Sequence, residues 1–497
     1  MNRAISKVFI ISAVLFVALV VNLTWIMVVR AQWFQDRPEN KRSIAKEMKI
    51  KRGDILGFDG SVIAGTERRS GYYYRDYPQG TLAPQLLGYD TVRYGRSGVE
   101  AELNDDLTGQ STDLGVQSWV DRLLGRRPTG ANVKLTIVPA VQKAAQQALQ
   151  GQKGAILALD PKTGALIASA SAPTYDPANL ESQWSRLSTD ASAPLLNRPT
   201  QGLYVPGSAF KVVTATAGLD TGKVTPDTEF VDTGTYVVFG GKVTNYGGAV
   251  YGPNDFTFAL TASINTTFAK VGNQLGRKRL VAGMQKFGFY ETPPLPLPEG
   301  EVLPSGRYGK KGLLSPGAFM DPLDVAWAAV GQEQLLATPL QMALVAGGVA
   351  NGGRVMKPYY TQEVVSAAGS VVRKAEPEQW LVAMKPQTAG ELNTMMQNVV
   401  NAGTGTAAAL EGIQVAGKTG TAERGDGTNL AWFIAFAPAD DPQIALAVVI
   451  EDSQSTGGEV AAPLAAAELA QHAVAAVDHL LWLEHVTHVW SPHSLVD

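Results

Sequence analysis

Between Lys7 and Arg30 the chain carries no charge, and Val8 to Val29 form one uninterrupted, predominantly apolar run. A backbone in hydrocarbon must satisfy its own N–H and C=O groups, which leaves such a run one economical conformation, a helix. At about 1.5 Å per residue it reaches across the roughly 30 Å hydrocarbon core of a bilayer. A cleaved signal peptide would show a shorter apolar core, about 7–15 residues, and a small-x-small exit, and neither is evident. The sequence therefore predicts a transmembrane anchor over residues 8–29, with residues 1–7 in the cytoplasm. Arg3 and Lys7 favour that orientation against the weaker vote of Arg30 and Arg37. The remainder of the chain is then expected on the outer face of the membrane.

What that remainder can do is bounded by what it lacks. None of the 497 residues is cysteine, which removes cysteine nucleophiles, disulfides and thiolate metal sites. His472, His479, His485, His488 and His493 are the five histidines, and a Ser-His-Asp triad would need the C-terminal tail to fold back. A net charge of −3, with 18% charged residues, advertises no nucleic-acid face. A serine activated by lysine remains the economical route to nucleophilic catalysis.

Length suggests two to three domains. Residues 30–130 are polar and broken by Gly and Pro, with strand-like runs such as 51–64, and read as a small α+β or β-rich module. After the turn-rich 126–130, Val133 to Ile137 reads as a strand. Pro139 to Gln150 reads as an amphipathic helix opening on its proline. Gly154–Asp160 and Ala165–Ala170 flank a Pro-Lys-Thr-Gly turn, a hairpin pattern. Helical patterns run from Ser208 to about Gly288 and from Leu323 to Asn351, separated by a Pro-rich loop. Apolar strands return at 430–437 and 443–451, before an Ala-rich helix from about 461 to 483. Strands at both ends with helices between them predict one sheet assembled from distant segments and backed by helices.

Three short patterns stand in order along this framework: Ser208-Ala209-Phe210-Lys211, Ser263-Ile264-Asn265 and Lys418-Thr419-Gly420. Each alone is weak, and the chain holds decoys. Ser43-Ile44-Ala45-Lys46 repeats the first pattern in a charged stretch near the membrane, and Lys162-Thr163-Gly164 repeats the third inside a hairpin turn. Ser208 differs because Pro206-Gly207 breaks the chain before it and a helix-competent run follows. That places it at a helix N-terminus, where free N–H groups favour developing negative charge. Lys211 lies one turn on, opposing the helix dipole, which is a reason to expect lowered proton affinity. Plain helix capping is the competing explanation for Ser208 and for Ser263. Lys418, Thr419, Gly420 and Thr421 read as an edge strand ahead of a Gly-rich turn and a buried strand. There Gly420 would allow close backbone approach, and Lys418 with Thr419 could hold a carboxylate.

The trio resembles that of serine β-lactamases and penicillin-binding proteins. Asn197 to Lys211, Ser171 to Pro177, Ala337 to Ala343, Asn351-Gly352-Gly353 and Gly417 to Pro438 extend the likeness to a class B penicillin-binding protein, the monofunctional peptidoglycan D,D-transpeptidase. Arg52-Gly53, Asp59-Gly60 and Gly95 to Glu100 are similar to motifs of that family's non-catalytic pedestal. Asn245-Tyr246-Gly247-Gly248 and the short pedestal resemble its actinobacterial PbpA subgroup. Val205 and Glu333 depart from the pattern, standing where the family often has proline and glycine.

The resemblance implies an α/β (α+β) transpeptidase fold: an antiparallel sheet backed by helices, with an all-helical lobe, a pedestal over 30–130, a catalytic domain over 131–483 and an unassigned tail over 484–497. It implies that Lys211 takes the proton of Ser208, which attacks the D-Ala-D-Ala bond of a stem peptide, while the N–H groups of Ser208 and Thr421 hold the oxyanion. Ser263 would pass a proton to the leaving D-alanine, Asn265 would bind the donor backbone, and Lys418 and Thr419 its carboxylate. No metal or cofactor is implied. Expected partners are stem peptides, penicillin and other β-lactams, the membrane and a SEDS-type glycan polymerase. A β-lactamase, a D,D-carboxypeptidase and a catalytically idle scaffold remain the alternatives.

Overall fold

The computed structural model describes residues 2–30, 47–111 and 129–474. Ser43, Lys46 and the histidines from His479 onward lie outside the described residues. Helix α1 (Asn2–Thr24) continues into one π-helical turn, Trp25–Val29. Over Ile5–Val28 its mean hydropathy is 2.5 and none of the segment is buried, so it is long and apolar enough to cross a membrane.

A six-stranded sheet is the frame of the N-terminal module. Its strands are β1 (Ile55–Leu56), β2 (Val62–Arg69), β3 (Tyr72–Asp76), β4 (Asn132–Leu135), and two from far along the chain. Helix α2 (Pro139–Ala148) follows β4, then come β5 (Lys153–Leu159) and β6 (Leu166–Ala172). The helical lobe holds α3 (Lys211–Asp220), α4 (Phe256–Thr261), α5 (Asn265–Lys286) and α6 (Pro322–Ala329). After α7 (Pro339–Ala350) come β7 (Thr361–Val365) and β8 (Val371–Lys374), which close the first sheet in the order β8-β7-β4-β1-β2-β3. Helix α8 (Pro386–Ala402) precedes β9 (Ala416–Glu423), β10 (Asn429–Ala437) and β11 (Ile444–Ser453), and a last helix covers 461–474.

The second sheet, β9-β10-β11-β5-β6, is antiparallel throughout and joins segments almost 300 residues apart, as in the pairing of Ala447 with Leu157. Both of its faces are covered, which is why its strands read as continuous apolar runs rather than alternating ones. Leu157, Leu159, Ala447 and Val449 pack into a core shared with α7, while Ile156, Ala158, Leu446 and Val448 pack with α2 and the last helix.

Residues 208–288 are not helical throughout. Two antiparallel hairpins interrupt them, Glu229–Asp232 pairing with Gly252–Asp255 and Thr235–Val238 with Gly241–Thr244. Their turns use left-handed residues, Gly234 (φ 80°), Phe239 (φ 48°) and Gly240 (φ 78°), around β-branched and aromatic strands.

Candidate active site

Pro206 leads into a 3₁₀ turn, Gly207–Phe210, that tightens the approach to α3 and carries Ser208 at the rim of a cleft of about 860 Å³. No side chain caps α3 or α5, so capping does not account for Ser208 or Ser263. Gly207 sits at φ 53°, and a Cβ there would lie 2.6 Å from the carbonyl of Thr421. Gly420 meets the same turn from the other side, where a Cβ would lie 2.7 Å from the Pro206 carbonyl. The close approach that Gly420 permits is thus that of the protein's own serine turn against β9.

Ser263 connects α4 to α5 in a left-handed conformation, φ 60°. Its hydroxyl is the meeting point of two lysines. Lys211 Nζ lies 3.2 Å from Ser263 Oγ and donates to the Ser263 carbonyl at 2.6 Å and to Asn265 Oδ1 at 2.7 Å. Lys418 Nζ donates to Ser263 Oγ at 2.9 Å, to the Thr419 carbonyl at 3.1 Å and to Thr419 Oγ1 at 3.3 Å. Both lysines are fully buried, and no carboxylate is among these partners. Burial holds Lys211 far below the ordinary lysine range, with the neighbouring Lys418 charge adding to the effect, and brings Lys418 down to about 7.

Asn265, the first residue of α5, donates from Nδ2 to the Thr244 carbonyl at 2.9 Å while accepting from Lys211. One amide hydrogen remains for another partner. Behind it Asp232 accepts from Asn245 Nδ2 (2.9 Å), Tyr251 N (2.8 Å), Gly234 N and Thr266 Oγ1, fastening the hairpin insertion to the start of α5. Thr421 Oγ1 accepts from Gly457 N at 3.1 Å, and Thr419 Oγ1 is 2.6 Å from Thr404 Oγ1.

Every site residue picked out by motif therefore converges here: Ser208, Ser263, Asn265, Thr419 and Thr421 line the cleft, and Lys211, Lys418 and Gly420 lie beneath it. Sequence reasoning missed Thr404, Trp327, Tyr251, Glu423 and Glu459 in the cleft walls, where no short pattern marks them. The decoy Lys162 is a turn residue, with its ammonium on Asp441 (2.5 Å) and Gly164 at φ 86°.

Comparison with known proteins agrees with this geometry. Residues 154–470 match the family described as Penicillin binding protein transpeptidase domain, and residues 52–133 match the Penicillin binding protein A dimerisation domain. Peptidoglycan D,D-transpeptidase PbpA of Mycolicibacterium smegmatis is 34% identical, covering 95% of this chain and 99% of that protein. The ceftriaxone acyl-enzyme of penicillin-binding protein A from M. tuberculosis superposes with a TM-score of 0.79 at 31% identity, over 86% of this chain and 99% of that one. The D,D-transpeptidase domain of a peptidoglycan glycosyltransferase from Eggerthella lenta gives a TM-score of 0.76 at 35% identity, over 85% and 98%. The Ser208 turn at the cleft, two buried lysines around one serine and these likenesses over most of its length agree: the chain belongs to the penicillin-binding protein transpeptidase family, among the class B proteins that resemble PbpA.

Proposed function

We propose that this protein crosslinks peptidoglycan stem peptides through an acyl-enzyme on Ser208, and that β-lactams acylate the same oxygen. The observation that carries the assignment of roles is the pair of buried lysines sharing Ser263 beneath the cleft that holds Ser208. A neutral amine keeps two N–H donors and one lone pair. The Ser263 carbonyl and Asn265 Oδ1 take the donors of Lys211, leaving its lone pair for a hydroxyl proton.

In this reading Lys211 accepts the proton of Ser208 as its oxygen attacks the carbonyl between two D-alanines. Backbone N–H groups of Ser208 and Thr421 stabilise the tetrahedral oxyanion. Ser263 relays the proton that Lys211 has taken up to the departing D-alanine nitrogen, across a Lys211 Nζ to Ser263 Oγ contact of 3.2 Å, and the ester remains on Ser208. An amine of a neighbouring stem then attacks that ester, forming the new amide and returning the proton to Ser208. Lys418 and Thr419 hold the donor carboxylate, and Asn265 its backbone. Helix α1 anchors the chain, with Arg3 and Lys7 on the cytoplasmic side and the catalytic domain facing outward. The module over 30–130 serves as the pedestal, and a SEDS-type glycan polymerase is its partner in the membrane.

Mass spectrometry of the protein after penicillin exposure, followed over hours, tests this. A stable adduct on Ser208, absent from Ser208→Ala, is the expected result. Labelling that persists in Ser208→Ala would overturn the assignment, and a transient adduct with hydrolysed drug accumulating would make the activity that of a β-lactamase.

A further inference from the structure

Glu451 stands on β11, the central strand of the catalytic sheet, outside the cleft. Its two oxygens are divided. Oε1 accepts from Arg198 Nε at 2.7 Å and from the Tyr204 hydroxyl at 2.8 Å, while Oε2 takes Lys153 Nζ at 2.8 Å. The Glu451 side chain is 9% exposed and that of Arg198 only 1%. Burial alone would raise the carboxyl's proton affinity, but the surrounding donors outweigh it and keep the group below the ordinary carboxylate range, hence anionic.

Both Oε1 partners belong to the segment that delivers Ser208. Arg198 opens the short helix Arg198–Gln201, and its guanidinium also holds the carbonyls of Ala193 (2.9 Å) and Ser192 (2.6 Å). Tyr204 is bridged through its backbone to Ala337 in both directions, at 3.0 and 2.8 Å. Its ring meets Trp432 edge-on, centroids 6.1 Å apart, and the Trp432 indole donates to the Val205 carbonyl at 3.0 Å. Pro206 abuts Gly420, and Gly207 N donates to Gly331 at 2.9 Å. Each residue from Tyr204 to Gly207 is thus fixed from outside the segment. The one charged anchor among these contacts is Glu451.

Resting on the Ser208 reading above, we infer that Glu451 is a positioning residue for the nucleophile. Its charge sets Arg198 and Tyr204, and through them the turn that presents Ser208, while it touches neither substrate nor the reacting atoms. Lys153 holds the far oxygen, which keeps Oε1 aimed at the segment. A displacement of about 1 Å at a reacting atom is enough to cost roughly 10²-fold in rate. The effect therefore falls on the acylation step rather than on initial binding.

The test separates the dissociation constant of the first penicillin complex (Ks) from the acylation rate constant (k2), measured beside thermal melting for wild type, Glu451→Gln, Tyr204→Phe and the double variant. All rates are taken well below each variant's melting temperature. Expected is a loss in k2 of about tenfold or more for Glu451→Gln and about threefold for Tyr204→Phe, with Ks within about twofold. The double variant should lose less than the product of the single losses, because both act through one carboxylate. Wild-type k2 in folded Glu451→Gln, or losses confined to melting temperature, would overturn the inference and leave only a structural ion pair. Should Glu451→Gln fail to fold, wild-type k2 in Tyr204→Phe overturns it equally. Failure of the wild type itself to acylate would instead strike the Ser208 reading.

Discussion

Lys211 and Lys418 are buried without a carboxylate among their hydrogen-bond partners, and both proton affinities fall for that reason, Lys418 to about 7. With Lys211 as the free base of the proposed mechanism, penicillin acylation is expected to rise with pH as Lys211 loses its proton and then level off. The midpoint belongs to the coupled pair. A rate flat from pH 5 to 9 would contradict this. The same shifts make a stability statement. The unfolded chain protonates Lys418 near pH 10.4 and the folded chain only near 7, so the Lys418 contribution lowers stability as pH drops from above 10 towards 7 and levels off below, and Lys211 acts in the same direction. Lys418→Met is therefore expected to abolish acylation yet raise the melting temperature at pH 7, with the gain fading near pH 10.5. A lower melting temperature at pH 7 would show that the Ser263 and Thr419 contacts outweigh desolvation.

The links between secondary-structure elements carry strain, and Glu333, in the turn between α6 and the strand Leu335–Leu336, shows it. This residue stands where the family resemblance led one to expect glycine, and its φ is 65°. A left-handed residue with a Cβ costs roughly 1 kcal/mol, so Glu333→Gly is expected to stabilise the protein by up to about that amount. An unchanged or lower melting temperature would refute it. Glu333 was visible as a departure from a pattern, but its left-handed conformation was not, because no short pattern in the sequence records φ. The same division runs through the fold. Strands β5, β6, β10 and β11 were legible because both sheet faces are buried, and so were the serine turn and the edge strand β9. The hairpins of 229–255 were not legible, since their short, half-exposed strands are held by Asp232, a lone carboxylate whose partners Asn245, Tyr251 and Thr266 are distant in sequence. Thr404 was missed for a like reason. Only the folded chain puts its hydroxyl beside Thr419.

At the scale of the whole molecule, the N-terminal module and the catalytic domain do not part cleanly at residue 130. Strand β4 pairs with β1 on one side (Ile55 with Val133) and with β7 on the other (Val364 with Val133). Ile55, Ile63, Val133 and Val364 belong to the same core as the helical lobe. Arg373 reaches Asp106 at 2.6 Å, and Glu301 accepts from Gly98 N at 3.0 Å, so polar contacts cross the seam as well. The module's own centre is ionic: Glu100, fully buried, accepts from Arg52 Nε at 2.9 Å and Arg75 Nε at 2.6 Å. Glu100→Ala would leave two guanidiniums largely out of water and is expected to cost about 3–5 kcal/mol. Because the core is shared, that loss should lower the melting temperature of the catalytic domain too, in one cooperative transition. Penicillin labelling of Ser208 measured along the same melt reports the catalytic half directly. If labelling survives at temperatures where the module has unfolded, the two halves are thermodynamically independent and the shared sheet is a contact rather than a common core. If both signals fall together, the N-terminal module is part of what holds Ser208 in place, and a chain cut to begin at Ala131 should lose soluble, acylable protein for the same reason.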